Sequence, residues 1–391
     1  MKYNFDEVIE RQNTLSKKWN PEIYKGTFNN KTDLLPLWVA DMDFKVAQPI
    51  LDSLSEIINH GVLGYTAPDD KCYNAIINWN KRRKNAVVEK EWIVFTNGVV
   101  PAISFMVQTF TKKGENVIIQ TPVYHPFRMT TENNERNIIV NPLIDKDGHY
   151  EIDFKDFEKK IVDNNVKLFI LCNPHNPVGR VWTKEELTKL ADICLAHNVL
   201  IISDEIHSDL IYKDSHFTSF LTLDEKYKNN VIVCTAPSKT FNLAGLQTSI
   251  ILIPNKEIRD RFKKSLGNVR IENPNSFGTA AITSGYNEGE EWLDAVIEYL
   301  DDNRKYIASY LKENIPAAKY VIPEGTYLAW IDVSGIIPKD MSIEEFFEDK
   351  AKVAIDYGHW FGEEGKGYIR LNFACPKSIL KEALNRIKAA I

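Results

Sequence analysis

Cysteine is scarce in this chain and follows no pairing pattern. Five cysteines, Cys72, Cys172, Cys194, Cys234 and Cys375, are scattered through 391 residues with no CxxC pair. So odd and dispersed a set argues against a disulfide framework or a zinc site, and the cysteines beside apolar runs read as reduced core residues. Long apolar runs are missing too: none approaches the ~20 residues of a membrane span. The start, Met1-Lys2-Tyr3-Asn4-Phe5-Asp6-Glu7, lacks the apolar core of a signal peptide, so a cytoplasmic protein is expected. Positive charge is not in excess. A formal net charge of −6 gives no reason to expect nucleic acid or an anionic membrane as partner. No GxGxxG follows the first strand and no GxxxxGKS/T occurs anywhere, which removes the best signals for nicotinamide and nucleoside triphosphate chemistry.

What is present is an ordinary globular composition, 44% hydrophobic and 26% charged, on a chain long enough for two domains. Residues 1–45 read as an N-terminal segment that contributes to the active site and the small domain, and it ends in the extended, apolar run Leu34-Leu35-Pro36-Leu37-Trp38-Val39-Ala40-Asp41-Met42-Asp43-Phe44. Apolar spacing predicts helices over 49–60 and 73–83, separated by the turn-rich Gly64-Tyr65-Thr66-Ala67-Pro68. From residue 92 short apolar strands alternate with helices. Seven strands are expected, at 92–95, 116–120, 138–143, 168–172, 199–203, 231–235 and 249–254. That alternation predicts an α/β large domain, residues 46–285, built on a mainly parallel seven-stranded sheet covered by helices. Past residue 285 come a long helical region over 290–314, strands near 320–322, 327–333 and 368–373, and a helix over 342–353. These predict a smaller α+β C-terminal domain, residues 286–391.

Polar residues and glycine recur at one place, immediately after the strands: Asn97-Gly98, Tyr124, Asn173 to Asn176, Asp204 and Lys239. In a parallel sheet such loops share one edge, where open α/β folds bind ligands, so residues distant in sequence can converge. Lys239 stands in the break after Val231–Thr235. Partial desolvation there would lower its pKa and favour Schiff-base chemistry, the alternative being a solvated loop lysine. Gly98-Val99-Val100 at a helix start offers free N–H groups and a positive dipole end to a single phosphate; an N-cap at Asn97 explains the same residues. Asp204 ends a buried strand, where a carboxylate is costly unless paired. It suits either a helix N-cap or the protonated ring nitrogen of a cofactor.

Together, the order Gly98, Tyr124, Asn176-Pro177-x-Gly179, Asp204 and Ser238-Lys239 resembles the fold-type I pyridoxal-phosphate enzymes of the class I/II aminotransferase superfamily. The likeness runs from Trp38 to Arg370. Within that superfamily, Trp38-Val39-Ala40-Asp41-Met42-Asp43-Phe44, Ala236-Pro237-Ser238-Lys239-Thr240-Phe241-Asn242-Leu243-Ala244-Gly245-Leu246-Gln247 and Tyr368-Ile369-Arg370-Leu371-Asn372-Phe373-Ala374 resemble the cystathionine β-lyase (C–S lyase) branch. The resemblance implies pyridoxal 5′-phosphate as cofactor and no metal. It implies that Lys239 holds the cofactor and moves the Cα proton, Asp204 keeps the pyridine nitrogen protonated, and Tyr124 stacks on the ring and is a catalytic candidate, either to orient Lys239 or to protonate the leaving sulfur. Asn176 and His207 would orient the ring, and Gly98, Val99 and Ser238 would hold the phosphate. Arg370 would grip the substrate α-carboxylate, with Asn176 and Ala40 also at the substrate. Tyr65 would reach the phosphate of a neighbouring subunit, which implies a homodimer with a shared active site.

Aminotransferases of this superfamily often carry a serine three residues before the lysine and an arginine eight after it. Here those positions hold Ala236 and Gln247, which favours the lyase branch. The expected reaction is β-elimination of L-cystathionine or a related L-cysteine S-conjugate to pyruvate, ammonia and a thiol such as homocysteine. An aminotransferase on the same scaffold is the alternative. A non-catalytic regulator would have no need of the intact set Lys239, Asp204, Tyr124 and Arg370.

Overall fold

Runs with no polar alternation form the centre of the molecule. In a computed structural model describing residues 3–391, Leu168–Cys172 and Val231–Thr235 are buried at every position, as strands covered on both faces must be. In chain order the elements that matter are α1 (Gln48–His60), α2 (Asp70–Lys84), β1 (Ile93–Thr96), α3 (Val99–Phe110), β2 (Asn116–Ile119), β3 (Asn137–Val140), β4 (Leu168–Cys172), α4 (Lys184–Ala196), β5 (Leu200–Asp204), β6 (Val231–Thr235) and β7 (Ser249–Leu252). They are followed by α5 (Ser276–Glu288), α6 (Glu290–Asn314), β8 (Lys319–Tyr320), β9 (Leu328–Asp332), β10 (Asp356–Tyr357), β11 (Tyr368–Asn372) and α7 (Lys377–Ala390).

Strands β1 to β7 make one seven-stranded sheet in the order β1-β7-β6-β5-β4-β2-β3. β7 runs antiparallel to both its neighbours and the remaining pairs are parallel. The C-terminal ends of β1, β2, β4, β5 and β6 therefore lie along one edge. Register aligns Cys172 with Asp204 and Asp204 with Cys234, which fixes where the following loops begin. All seven expected strands are present, shifted by a few residues at their ends.

A second, antiparallel sheet in the order β8-β9-β11-β10 carries the C-terminal part of the chain, and α6 packs against α7. Residue 285 lies inside α5, which packs on α1 and α2; the helical path changes at Gly289, between α5 and α6. The helix expected over 342–353 runs from Ile343 to Ala351, α-helical over Ile343–Glu345 and more widely wound over Phe346–Ala351. It then stops at Lys352, whose φ is 55°, because Val353 and Ala354 pair in parallel with Leu35 and Pro36. That pairing anchors the N-terminal segment to the C-terminal part. All five cysteines are free and buried, and no helix among the described residues is long and apolar enough to cross a membrane.

Candidate active site

The loops after β1, β4, β5 and β6 close around a cavity of about 200 Å³. Gly98, Val99, Tyr124, Asn176, Asp204, His207, Ser238, Lys239 and Ala40 all line it, so nine of the expected residues meet in one place. Two do not line it. Arg370 stands beside it, donating from Nη1 to Asn176 Oδ1 at 2.9 Å. Tyr65 is fully exposed on the loop between α1 and α2, beside a separate opening of about 870 Å³ that shares Asn97 and Gln247 with the first cavity. A cavity of about 470 Å³ between α6 and Tyr3–Phe5 lies elsewhere and gathers none of these residues.

At one end of the cavity is the start of α3. The N-cap is Gly98 and no side chain caps it, so the N-cap at Asn97 is not made. The first helical bond is Ala102 N to Gly98 O, which leaves the amides of Val99 and Val100 without helical partners; Pro101 has no N–H to offer. Gly98 has φ 131°, a backbone that side chains rarely adopt, and an added Cβ would come 3.3 Å from Pro101 Cδ. Ser238, Gln247 and Thr248 line the same cavity. An uncapped helix start of this kind is a seat for an anion.

Asp204 is buried at the end of β5. Its carboxylate accepts one hydrogen bond, from Ile206 N at 3.1 Å, and no helix follows, so it is not an N-cap. No ion pair among the described residues includes it. Burial pushes its carboxyl up to about 7, with the Ile206 bond and the charge of Lys239 acting against the rise. Next to it, His207 is buried with Nδ1 unpartnered, and burial holds its ring neutral. Lys239 follows β6 in the short helix Pro237–Thr240 and donates from Nζ to Ala40 O at 2.6 Å. Burial lowers its pKa to about 8; Asp41 and Asp204 oppose that and Arg370 assists it. Tyr124 donates its backbone N–H to Asn176 O at 3.0 Å, and burial raises its phenol so that it stays protonated at neutral pH.

On the facing side, Arg370 is buried, with Nη2 donating to Trp38 O at 3.3 Å and paired with Asp356, and its guanidinium 4.8 Å from the Phe361 ring centre. Burial raises the Asp356 carboxyl to about 6, and the Arg370 charge works against that rise. Sequence reasoning missed Asp356, although a carboxylate within the apolar run Val353-Ala354-Ile355 is the same signal that exposed Asp204. It also missed Cys172 and Thr248, which line the cavity, and Phe361. No local pattern distinguishes those from core residues.

Comparison with known proteins agrees with this geometry. The model of the family Aminotransferase class I and II matches residues 32–387. Cystathionine beta-lyase PatB of Bacillus subtilis (strain 168) is 43% identical over 388 residues, covering 99% of this chain and 100% of that protein. A pyridoxal-phosphate-bound structure from Clostridium difficile 630 superposes with a TM-score of 0.96 at 46% identity, covering 99% of both chains. Cystalysin from Treponema denticola, which contains pyridoxal 5′-phosphate, gives 0.95 at 41% identity over 100% of this chain and 99% of its own. With its fold, its sheet-edge cavity and a family match over most of its length in agreement, this chain belongs to the aminotransferase class I and II family.

Proposed function

We propose that this chain is a pyridoxal-phosphate-dependent C–S lyase that cleaves L-cystathionine or related L-cysteine S-conjugates by β-elimination. The observation that carries the reading is Lys239, an amine of lowered pKa that shares one cavity with Asp204, Tyr124 and the uncapped start of α3. The names of its relatives, cystathionine beta-lyase for PatB and C–S lyase for a structure from Staphylococcus hominis, support the chemistry.

The residues fit the cofactor. Val99, Val100 and Ser238 would hold its phosphate, Asp204 its ring nitrogen, Tyr124 one face, Asn176 and His207 its ring oxygen side, and Lys239 its aldehyde carbon. When bound, pyridoxal phosphate supplies a carbonyl that condenses with amines and a ring that takes up carbanion charge. A carboxyl that retains its proton to about pH 7 is well matched to sharing one with a ring nitrogen. Arg370, oriented by Asp356 and Trp38 O, would hold the substrate α-carboxylate with Asn176 beside it, next to the cavity that Lys239 lines, where the Cα proton has to be taken. Lys239 Nζ removes that proton, the pair left on Cα closes a double bond to Cβ, and the Cβ–S bond breaks with its electron pair on sulfur. Tyr124, whose phenol is protonated, supplies a proton to the departing thiolate. The three-carbon fragment takes up water and leaves as pyruvate and ammonia. Beyond Tyr124, an adjoining cavity of about 320 Å³ next to His125 and Phe361 has room for the rest of the thioether.

In this reading the chain divides into a segment 1–45, a large domain 46–285 that binds the cofactor, and a small domain 286–391 that brings Arg370 to the site. It works in the cytoplasm as a homodimer. Exposed Val62, Leu63 and Tyr65 on one loop suit burial against a second copy, with Tyr65 reaching the partner's phosphate. Purified protein given L-cystathionine should release pyruvate and homocysteine in equal amounts, and Lys239→Ala should abolish release. Amino transfer to an added keto acid without release of thiol would assign the aminotransferase reaction instead. A monomer in size-exclusion chromatography, fully active at the lowest assay concentration, would remove the shared site.

A further inference from the structure

The segment before the cavity contains a charge cluster that the reaction does not use. Lys18 is fully buried. Its Nζ donates to Asp43 Oδ2 at 2.8 Å and to Asp41 O at 3.3 Å, and lies 3.4 Å from Asp41 Oδ1. Arg11 bonds Asp41 Oδ2 at 2.8 Å and Met42 O at 3.2 Å, and pairs with Asp43 as well. Trp19 Nε1 adds a bond to Asp43 Oδ1 at 2.7 Å. Two cations and two carboxylates are thus interlocked, each buried charge compensated, and such a cluster is costly unless its geometry is kept.

The cluster grips the backbone that carries Ala40. Ala40 O accepts from Lys239 Nζ at 2.6 Å and from Tyr327 OH at 2.8 Å. From the inner side Asn372 Nδ2 holds Val39 O and Asp41 O, each at 2.6 Å, and Asn242 bonds Met42 N and Met42 O, each at 2.9 Å. This stretch of chain is clamped between the N-terminal segment and the sheet edge, with a carbonyl aimed at the reacting amine. We propose that the N-terminal segment Arg11–Trp19 is a functional part of the active site: its Arg11–Lys18–Asp41–Asp43 cluster positions the Ala40 carbonyl against Lys239 and sets the electrostatic field at that amine. Lys18 and Arg11 are positioning residues that act through Asp41 and Ala40. The inference deepens the proposed function, since it gives meaning to the cluster through Lys239 as the reacting group.

The groups facing Lys239 come from several elements. Asp41 comes from the clamped segment, Asp204 and His207 from the end of β5, and Arg370 from β11, with the protonated phenols of Tyr124 and Tyr327 close by. Among these, Asp41 raises the affinity of Lys239 for its proton, and Lys18 and Arg11 hold that carboxylate and offset its charge. Neutralising Asp41 therefore makes the amine free at lower pH. Removing Lys18 leaves Asp41 less compensated and has the opposite effect.

The test is competitive trace labelling of the full chain, freed of cofactor, with acetic anhydride across a pH series, reading Lys239 by peptide mass spectrometry. The wild-type midpoint is expected near 8. Asp41→Asn should lower it by about one pH unit and Lys18→Met raise it by about one. Where Lys18→Met does not fold, Arg11→Gln carries the same upward prediction, because Arg11 is partly exposed and tolerates loss better. Midpoints that stay within error of wild type, or that move in the same direction in both variants, overturn the inference; a merely structural cluster would change melting temperature without shifts of opposite sign. The readout needs no turnover. Shifts as expected in a protein that does not cleave cystathionine would leave the inference standing and remove the proposed function.

Discussion

The two walls of the site, the sheet edge that lines the cavity and the side that stands behind Ala40 and Asn176, differ in how they treat charge. On the sheet-edge wall polar groups are left short of partners: Asp204 has one backbone hydrogen bond, His207 Nδ1 has none, and the start of α3 is uncapped. On the facing wall charges are matched in close pairs, Arg370 with Asp356, Lys18 with Asp43, Arg11 with Asp41. Burying a charge without a partner costs stability, so the first wall is held in a state that only a ligand can complete. The second wall is a support, where loss of either partner strands the other. Removing a charged side chain should therefore have opposite effects on the stability of the cofactor-free protein at the two walls.

The largest effect is expected from breaking the support. Arg370→Ala leaves Asp356 buried and unpaired and should destabilise the fold by ~3–5 kcal/mol, read from urea unfolding at pH 8. Asp356 already titrates near 6 beside Arg370, and without it the carboxyl rises further. The penalty should shrink at pH 5, where the stranded group is neutral. A loss that is the same at both pH values would mean that packing of the guanidinium on Phe361, not charge, holds this wall together.

Next comes Asp204→Asn, where the sign reverses. The carboxyl of Asp204 keeps its proton to about 7 when folded, against 3.8 for an ordinary aspartate. Folding therefore favours the protonated form, and stability falls as pH rises between those values, with the full cost present above pH 7. Asparagine removes that cost. The cofactor-free variant should be more stable than wild type at pH 8 by on the order of 4 kcal/mol, and indistinguishable from it below about pH 4. Turnover should fall at the same time, because an amide cannot keep the ring nitrogen protonated. A variant that is destabilised at pH 8 would place Asp204 with the structural pairs and dissolve the contrast between the walls.

The same contrast explains how much could be read in the sequence. The sheet-edge wall was legible because each residue there follows directly from a strand: an apolar run sets the strand, parallel pairing sets the edge, and Gly98, Asp204 and Lys239 stand where the runs end. The seven strands were found for the same reason. The facing wall depends on contacts distant in sequence. Arg370 is held by Asp356 and Trp38, Ala40 by Tyr327, and the residues beside Ala40 by Lys18 and Asn372, and no spacing within one stretch announces those pairs. The early end of the helix expected over 342–353 has this cause too, since Val353 and Ala354 pair with Leu35 and Pro36. Tyr65 is the extreme case: within one chain it touches neither wall, and its part was implied by family resemblance alone.

The smallest effect, and the finest test, is at Gly98. Alanine there must adopt φ 131° and bring its Cβ to 3.3 Å from Pro101 Cδ, at a cost of ~1–3 kcal/mol. Relief of that strain tilts the first turn of α3 and turns the Val99 and Val100 amides away from the cavity. Unlike Asp204→Asn, the change should lower the stability of the cofactor-free protein and its affinity for pyridoxal phosphate together, the affinity by about tenfold for each 1.4 kcal/mol lost. Equilibrium dialysis beside thermal melts separates the outcomes. Stability lost with affinity intact would mean that the phosphate is held by Ser238 and a partner's tyrosine, and that the uncapped helix is only a strained turn. Both lost in parallel would make the helix start the anion seat, and would show that the sheet-edge wall is incomplete at Gly98 for the same reason as at Asp204: it is shaped for a ligand.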